Sequence, residues 1–251
     1  MHPVLFTLGK YQVYSYGFMI AWGALFGGLY MAFRGKKELG LSFDQANTLF
    51  LLLFFSAFLG GKIFLVFEDG ESRSFISILS GSGFVFYGSF LFSIPAMMWY
   101  FKKNHLPTWQ MLDIMAMTTL IVHFFGRIGC FLAGCCYGLP TSSWLGITFH
   151  HEASVARPLF TPLHPTQLYE ASFLGIMLTG LFMFRDRKKF HGQLFLGYLI
   201  LYALGRVGIE FFRGDEDRGY LVGGLSNAQF IALLLALFST VMLIRKWGSQ
   251  T

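Results

Sequence analysis

The chain has 251 residues, of which 55% are hydrophobic, 19% aromatic and only 13% charged, with a formal net charge of +6. Soluble domains carry about 25% charged residues, and a fold of this length cannot hide so much apolar surface, so the composition excludes an ordinary soluble protein. The basic residues are scattered among short connections and form no single stripe, which excludes a nucleic-acid-binding face.

A helix crosses the hydrocarbon of a bilayer with about 20 mainly apolar residues. Such stretches run near 14–33, 47–67, 84–101, 111–132, 166–184, 192–212 and 225–244. They predict an all-α, polytopic membrane protein of seven transmembrane helices, a single integral membrane domain over 1–251. Met1-His2-Pro3-Val4 lacks the charged start and small-residue cleavage site of a signal peptide, so the first span is expected to stay as a helix. Basic residues collect in cytoplasmic loops. Here they follow span 1 (Arg34, Lys36, Lys37), span 3 (Lys102, Lys103), span 5 (Arg185, Arg187, Lys188, Lys189) and span 7 (Arg245, Lys246). Span 2 instead exits at Glu68, Asp69 and Glu71, and span 6 at Asp215, Glu216 and Asp217 beside Arg213 and Arg218. The N-terminus is therefore expected outside and the C-terminus inside. Between spans 4 and 5, the segment of about 133–165 is rich in Gly, Pro and aromatic residues and predicts a small external head. Within it, Trp144-Leu-Gly-Ile-Thr-Phe149 has the weak alternation of a short strand.

Spans 2, 4 and 6 run in the same direction, and each carries a Gly-cation-aliphatic triplet: Gly61-Lys62-Ile63, Gly126-Arg127-Ile128 and Gly205-Arg206-Val207. A charge near the bilayer centre costs about 2.5 to 3.5 kcal/mol on insertion scales, so such cations pair with something, and a lipid phosphate is a leading candidate. The adjacent glycine lets a neighbouring helix or a substrate come close. The competing reading is helix packing with the cations snorkelling to the outer interface. In span 6, Tyr202, Arg206, Glu210 and Arg213 fall at spacings of four, four and three, which puts them on one helical face. His123 and Arg127 have the four-residue relation in span 4, and Glu170 lies near the start of span 5. These acids and cations can partner each other, and a purely structural ion network would use the same residues.

All the cysteines of the chain are Cys130, Cys135 and Cys136, at the outer end of span 4. A zinc site would take His123 or His164 as a fourth ligand, but the spacing is not that of a zinc knuckle and adjacent cysteines bind one metal awkwardly. A disulfide from Cys130 to one of the pair, apolar packing, and a reactive thiol beside Arg127 are the other readings.

Several blocks resemble the bacterial prolipoprotein diacylglyceryl transferases, over nearly the whole chain. They are Tyr14-Ser-Tyr16-Gly-Phe-Met, Gly60-Gly-Lys-Ile, Phe86-Tyr-Gly, Gly126-Arg-Ile-Gly129 through Gly138, His164-Pro-Thr-Gln-Leu-Tyr-Glu170, Tyr202 to Arg213, and Leu225-Ser-Asn-Ala-Gln229. The resemblance implies a multi-pass enzyme of the bacterial inner membrane with its active site toward the outer leaflet. It would move the diacylglyceryl group of phosphatidylglycerol to the lipobox cysteine of a prolipoprotein signal peptide, form a thioether and release glycerol phosphate. No metal or soluble cofactor is required by that scheme, since both substrates bring their reactive groups. A diverged relative with another acceptor, or a phospholipid-binding or anion-transporting protein without catalysis, is the alternative.

Arg127 and Arg206 are expected to grip the donor phosphate, for which the guanidinium fork is suited. Glu210 would orient Arg206 or Arg213, and Tyr16, Lys62, Gly138, Gln167, Tyr169, Glu170, Tyr202 and Arg213 are expected to bind substrate. The sequence departs from the family pattern at two places. Tyr87-Gly88-Ser89 stands where the family has His-Gly-Gly, and a tyrosine with a pKa near 10 is a poor base. Cys130-Phe-Leu-Ala133-Gly134-Cys135 replaces Asn-Phe-x-Asn-Gly-Glu. His164, His123 and Tyr87 are therefore the candidate bases, and Cys130, Cys135 and Cys136 candidate thiols for the chemistry.

Overall fold

The computed structural model describes residues 2–9, 11–69, 85–214 and 225–249. Glu71, Asp215, Glu216, Asp217 and Arg218, on which the expected orientation partly rests, lie outside the described residues, as do the side chains of Glu68 and Asp69. The helices are α1 (Ser15–Leu39), α2 (Phe43–Asp69), α3 (Phe86–Lys103), α4 (Thr108–Ala133), α5 (Thr166–Phe184), α6 (Gln193–Glu210) and α7 (Asn227–Gly248). Among the described residues, Ser15–Leu39, Phe43–Phe67, Thr108–Ala133, Thr166–Arg187 and Asn227–Gly248 are long and apolar enough to cross a membrane.

Ahead of α1 the chain forms a hairpin that the span pattern did not predict. Strand β1 (Val4–Leu8) pairs antiparallel with β2 (Tyr11–Tyr14), turning through Gly9 at φ +60°. Its apolar runs are too short for a span, and the left-handed glycine between them is what a tight hairpin needs. The α1 start is tied back to this hairpin: the Ser15 N–H donates to the Pro3 carbonyl at 2.9 Å and its hydroxyl donates to the His2 carbonyl.

The chain divides into two compact units, residues 31–111 and residues 1–30 with 112–251. In the first, α2 begins at a capping box in which the Gln45 N–H donates to Ser42 Oγ at 3.1 Å and the Ser42 N–H to Gln45 Oε1 at 3.0 Å, which satisfies two otherwise unpaired donors. Helices α2 and α3 cross at Gly60 and Gly88, where a Cβ on either would run into the carbonyl oxygen of the other. Only paired glycines allow that approach. Lys62, two residues beyond the crossing, is 6% exposed, with its Nζ 6.0 Å from the Phe58 ring.

In the second unit, Ala116, Met117 and Leu120 of α4 pack with Leu174, Met177 and Leu181 of α5 and with Leu194 and Tyr198 of α6. Gly23 and Gly27 let α1 lie on Thr118, Val122 and Phe125 of α4. Asp113, 1% exposed, accepts from Lys188 Nζ at 3.1 Å and from the Gly192 and Phe195 N–H groups at 2.9 and 3.0 Å. It therefore ties the start of α6 to α4 by binding backbone donors that the helix cannot satisfy itself. A second capping box, Ser226 with Gln229, starts α7. Between α4 and α5 the chain folds around a small core of Phe149, Ala156 and Leu163. Of the weakly alternating stretch only Ile147–Thr148 (β3) is extended, paired with Pro162–Leu163 (β4).

Candidate functional site

Arg127 and His123 stand one turn apart on α4, and Glu170 projects from the first turns of α5, where a helix N-terminus favours negative charge. Glu170 is 2% exposed. One of its oxygens, Oε1, lies 3.0 Å from Arg127 Nε and 3.2 Å from His123 Nε2 and accepts from the Tyr202 hydroxyl at 3.4 Å, while Arg127 Nε donates to His123 Nε2 at 3.4 Å. His123 and Tyr202 also meet edge to face, with ring centroids 5.2 Å apart. The network thus joins α4, α5 and α6. One turn beyond Tyr202, Arg206 Nη1 and Glu210 Oε2 pair at 2.6 Å, and Arg206 adds to the positive field around Glu170. Room for Arg206 depends on Gly205, since the Phe173 ring occupies the position of a Cβ there. Tyr16 of α1 lies over Gly129, where a Cβ would sit 3.2 Å from the tyrosine ring.

The chain after α4 is locked against the start of α5. Gln167 Nε2 donates to the Cys135 carbonyl and Thr166 Oγ1 to the Cys136 carbonyl, both at 2.7 Å. Gln167 is fully buried, and its Oε1 has no hydrogen-bond partner among the described residues. That leaves one buried acceptor for a ligand donor. Gly138 fits between the Phe212 carbonyl and His164, and bridges to Arg213, so the loop after α4 and the end of α6 are held together at a point where only a glycine fits. Beside this crossing, His164 Nδ1 lies 3.0 Å from the Tyr169 hydroxyl, and the His164 ring meets Phe212 edge to face. These residues, with Ser143, Leu145, Gly208 and Ile209, line a mainly apolar recess of about 400 Å³.

The three cysteines are free thiols with their sulfurs within 4.8 Å of one another. The disulfide that the sequence left open as one of several readings is not formed, and the adjacent pair converges with Cys130 despite its spacing. Hydrogen bonds from the Cys130 and Cys135 thiols, helped by the Arg127 and Arg213 guanidiniums, hold the Cys136 thiol well below the ordinary thiol range.

Of the residues singled out from the sequence, Arg127, Glu170, Tyr202, Arg206, Glu210, His164, Tyr169, Gln167, Gly138, Arg213, Tyr16 and the cysteines belong to the unit of residues 1–30 and 112–251. Lys62 and Tyr87 belong to the other, where Tyr87 is exposed. Asp113 and Thr166 were missed. A lone aspartate in an apolar helix was the available signal for Asp113, because a buried carboxylate requires partners.

A family model described as prolipoprotein diacylglyceryl transferase matches residues 3–245. The phosphatidylglycerol–prolipoprotein diacylglyceryl transferase of Clostridium tetani (strain Massachusetts / E88) is 37% identical over 237 residues, covering 93% of this chain and 93% of that protein. The second such transferase of Clostridium perfringens (strain 13 / Type A) is 34% identical, covering 94% and 91%. That of Dehalococcoides mccartyi (strain ATCC BAA-2266 / KCTC 15142 / 195) is 30% identical over 250 residues, covering 99% and 95%.

Proposed function

The chain belongs to the prolipoprotein diacylglyceryl transferase family, and from that premise we propose how its residues move a diacylglyceryl group from phosphatidylglycerol to the lipobox cysteine of a prolipoprotein. The thiol loses its proton and its sulfur attacks the glyceryl carbon that carries the phosphate. A carbon–sulfur bond forms, the carbon–oxygen bond breaks, and the electron pair leaves on the phosphate oxygen of glycerol phosphate. Charge therefore builds on the leaving phosphate, and fixed cations in a partly dry site stabilise it most. Arg127 and Arg206 supply those cations.

Glu170 and Glu210 hold the two guanidiniums in place before substrate arrives, through contacts of 3.0 and 2.6 Å. The phosphate engages the guanidinium nitrogens that the carboxylates leave available. Tyr16 donates to the headgroup, Gln167 Oε1 accepts from a glycerol hydroxyl, and Arg213 adds positive field. His164 takes the thiol proton, a role supported by its place on the wall of the recess, with Tyr169 fixing its other nitrogen. His123 is the weaker candidate because Glu170 and Arg127 already engage it. Tyr87 stands where the resembled family has its histidine, and a neutral phenol offers no ring nitrogen to take the proton.

The protein is a multi-pass membrane protein. We read it as seven spans in a bacterial inner membrane, adding α3 and α6, each of 18 residues, to the five longer ones. The N-terminus is outside and the C-terminus inside, a reading supported by the basic residues that follow every odd-numbered span. Arg127 and Arg206 then fall toward the outer leaflet, where a lipobox cysteine is presented.

The observation that carries the mechanism is the junction of Arg127, His123 and Tyr202 on one buried carboxylate oxygen, with the Arg206–Glu210 pair beside it. The test is transfer from labelled phosphatidylglycerol to a lipobox peptide by the purified protein, with Arg206→Ala alongside. Thioether product that is lost in the variant supports the reading. Phosphatidylglycerol binding without product would overturn the acceptor assignment.

A further inference from the structure

The transferase scheme leaves the thiol cluster without a necessary part, although every cysteine of the chain is spent on it. Cys130 sits at the end of α4 and Cys135 and Cys136 in the loop after it. Successive side chains normally point apart, so a Cys-Cys pair presents only one sulfur to a common centre. Here the backbone turns through Gly134 at φ +79° and then through Cys136 itself at φ +60°. A side chain in the left-handed region is strained, and such strain persists only where the surroundings hold it. They do so: the Cys135 N–H donates to the Cys130 carbonyl at 3.1 Å, and Gln167 and Thr166 hold the next carbonyls at 2.7 Å. Gly134 is packed against Ser154, leaving no room for a side chain. The outcome is three sulfurs within 4.8 Å of one another.

We infer that Cys130, Cys135 and Cys136 form a three-sulfur site for copper(I). Three sulfurs bound to one ion at about 2.3 Å lie about 3.8 to 4.0 Å apart, so shifts below about 1 Å complete the site. Thiolate sulfur selects soft ions such as copper(I) and zinc. Structural zinc takes four ligands, whereas the cluster of metal-ligating groups among the described residues contains only these three. A four-iron cluster, which places each cysteine on a separate iron, would spread the sulfurs farther. Binding one copper(I) by three thiolates releases the thiol protons and leaves a complex of net charge −2. Partly buried anions need nearby cations, and Arg127 and Arg213 both act electrostatically on Cys136.

The experiment is an anaerobic titration of the full-length protein in detergent with copper(I) against a chromophoric copper(I) chelator, together with X-ray absorption of the loaded wild type. The expected result is one equivalent withdrawn from the chelator and a shell of three sulfurs. Cys135→Ser and Cys136→Ser should each weaken retention at least 100-fold while keeping the wild-type circular dichroism. Copper withdrawn equally by a variant with serine at all three positions, or a two-sulfur shell in the wild type, would overturn the inference. The absorption measurement needs no variant and stands even if the serine proteins fold poorly.

Discussion

Glu170 offers a quantitative test of the buried network. It is 2% exposed and the Arg127 side chain 15% exposed, with 3.0 Å between them. Removing one partner of a buried pair leaves the other charge uncompensated, at a cost of about 3 to 5 kcal/mol. Glu170→Gln keeps the volume and one acceptor oxygen, which puts its loss at the lower end of that range, about 3 kcal/mol. For a chain of this length each kcal/mol moves Tm by about 2 to 4 °C, so the expected fall is about 6 to 12 °C. Arg127→Gln should fall by a similar amount, because Glu170 is then left without its cation. The double variant carries neither charge and should melt within a few degrees of the worse single variant. Thermal unfolding in one detergent at one scan rate measures all four proteins on equal terms. If the two losses add to within about 0.5 kcal/mol, the residues are not coupled and the account of the network is refuted.

Gly205→Ala places a methyl where the Phe173 ring lies, and overpacking of this kind costs about 1 to 3 kcal/mol. Gly208→Ala, with no atom within 4 Å of the new Cβ, should melt close to wild type in the same assay, and equal losses would contradict the packing argument. Asp113→Ala removes an acceptor for Lys188, Gly192 and Phe195. It should lower stability by about 3 to 5 kcal/mol, against about 1 to 3 kcal/mol for Asp113→Asn, which keeps an acceptor oxygen. Proteolysis between α5 and α6 should speed up more in the alanine protein. His164→Gln should slow transfer about 10²- to 10⁴-fold, the usual contribution of a general base, while leaving phosphatidylglycerol binding within a few-fold. A larger loss with His123→Gln would move the base to α4.

The presence of the helices was legible because membrane burial demands long apolar runs, although α1 (Ser15–Leu39) and α2 (Phe43–Asp69) run past the apolar stretches near 14–33 and 47–67. Pairing within the site was partly legible: helical spacing alone placed Arg206 with Glu210 and His123 with Arg127, since residues four apart share a face. Glu170 was visible as an acid near a helix start that could partner the cations, but not which of them it meets. That one of its oxygens gathers groups from α4 and α6 depends on how three helices pack. Gly60 and Gly88 read as small residues, and only the crossing of α2 and α3 shows that each makes room for the other. The hairpin before α1 escaped because its runs are too short for a span and its turn rests on one glycine. The cysteines mark the limit most clearly. Their spacing argued against a shared centre, because spacing assumes ordinary backbone angles. The left-handed turns at Gly134 and Cys136, held by Gln167 and Thr166 from another helix, bring the sulfurs together. A conformation that is locally unfavourable exists only where distant residues support it, so local sequence cannot announce it.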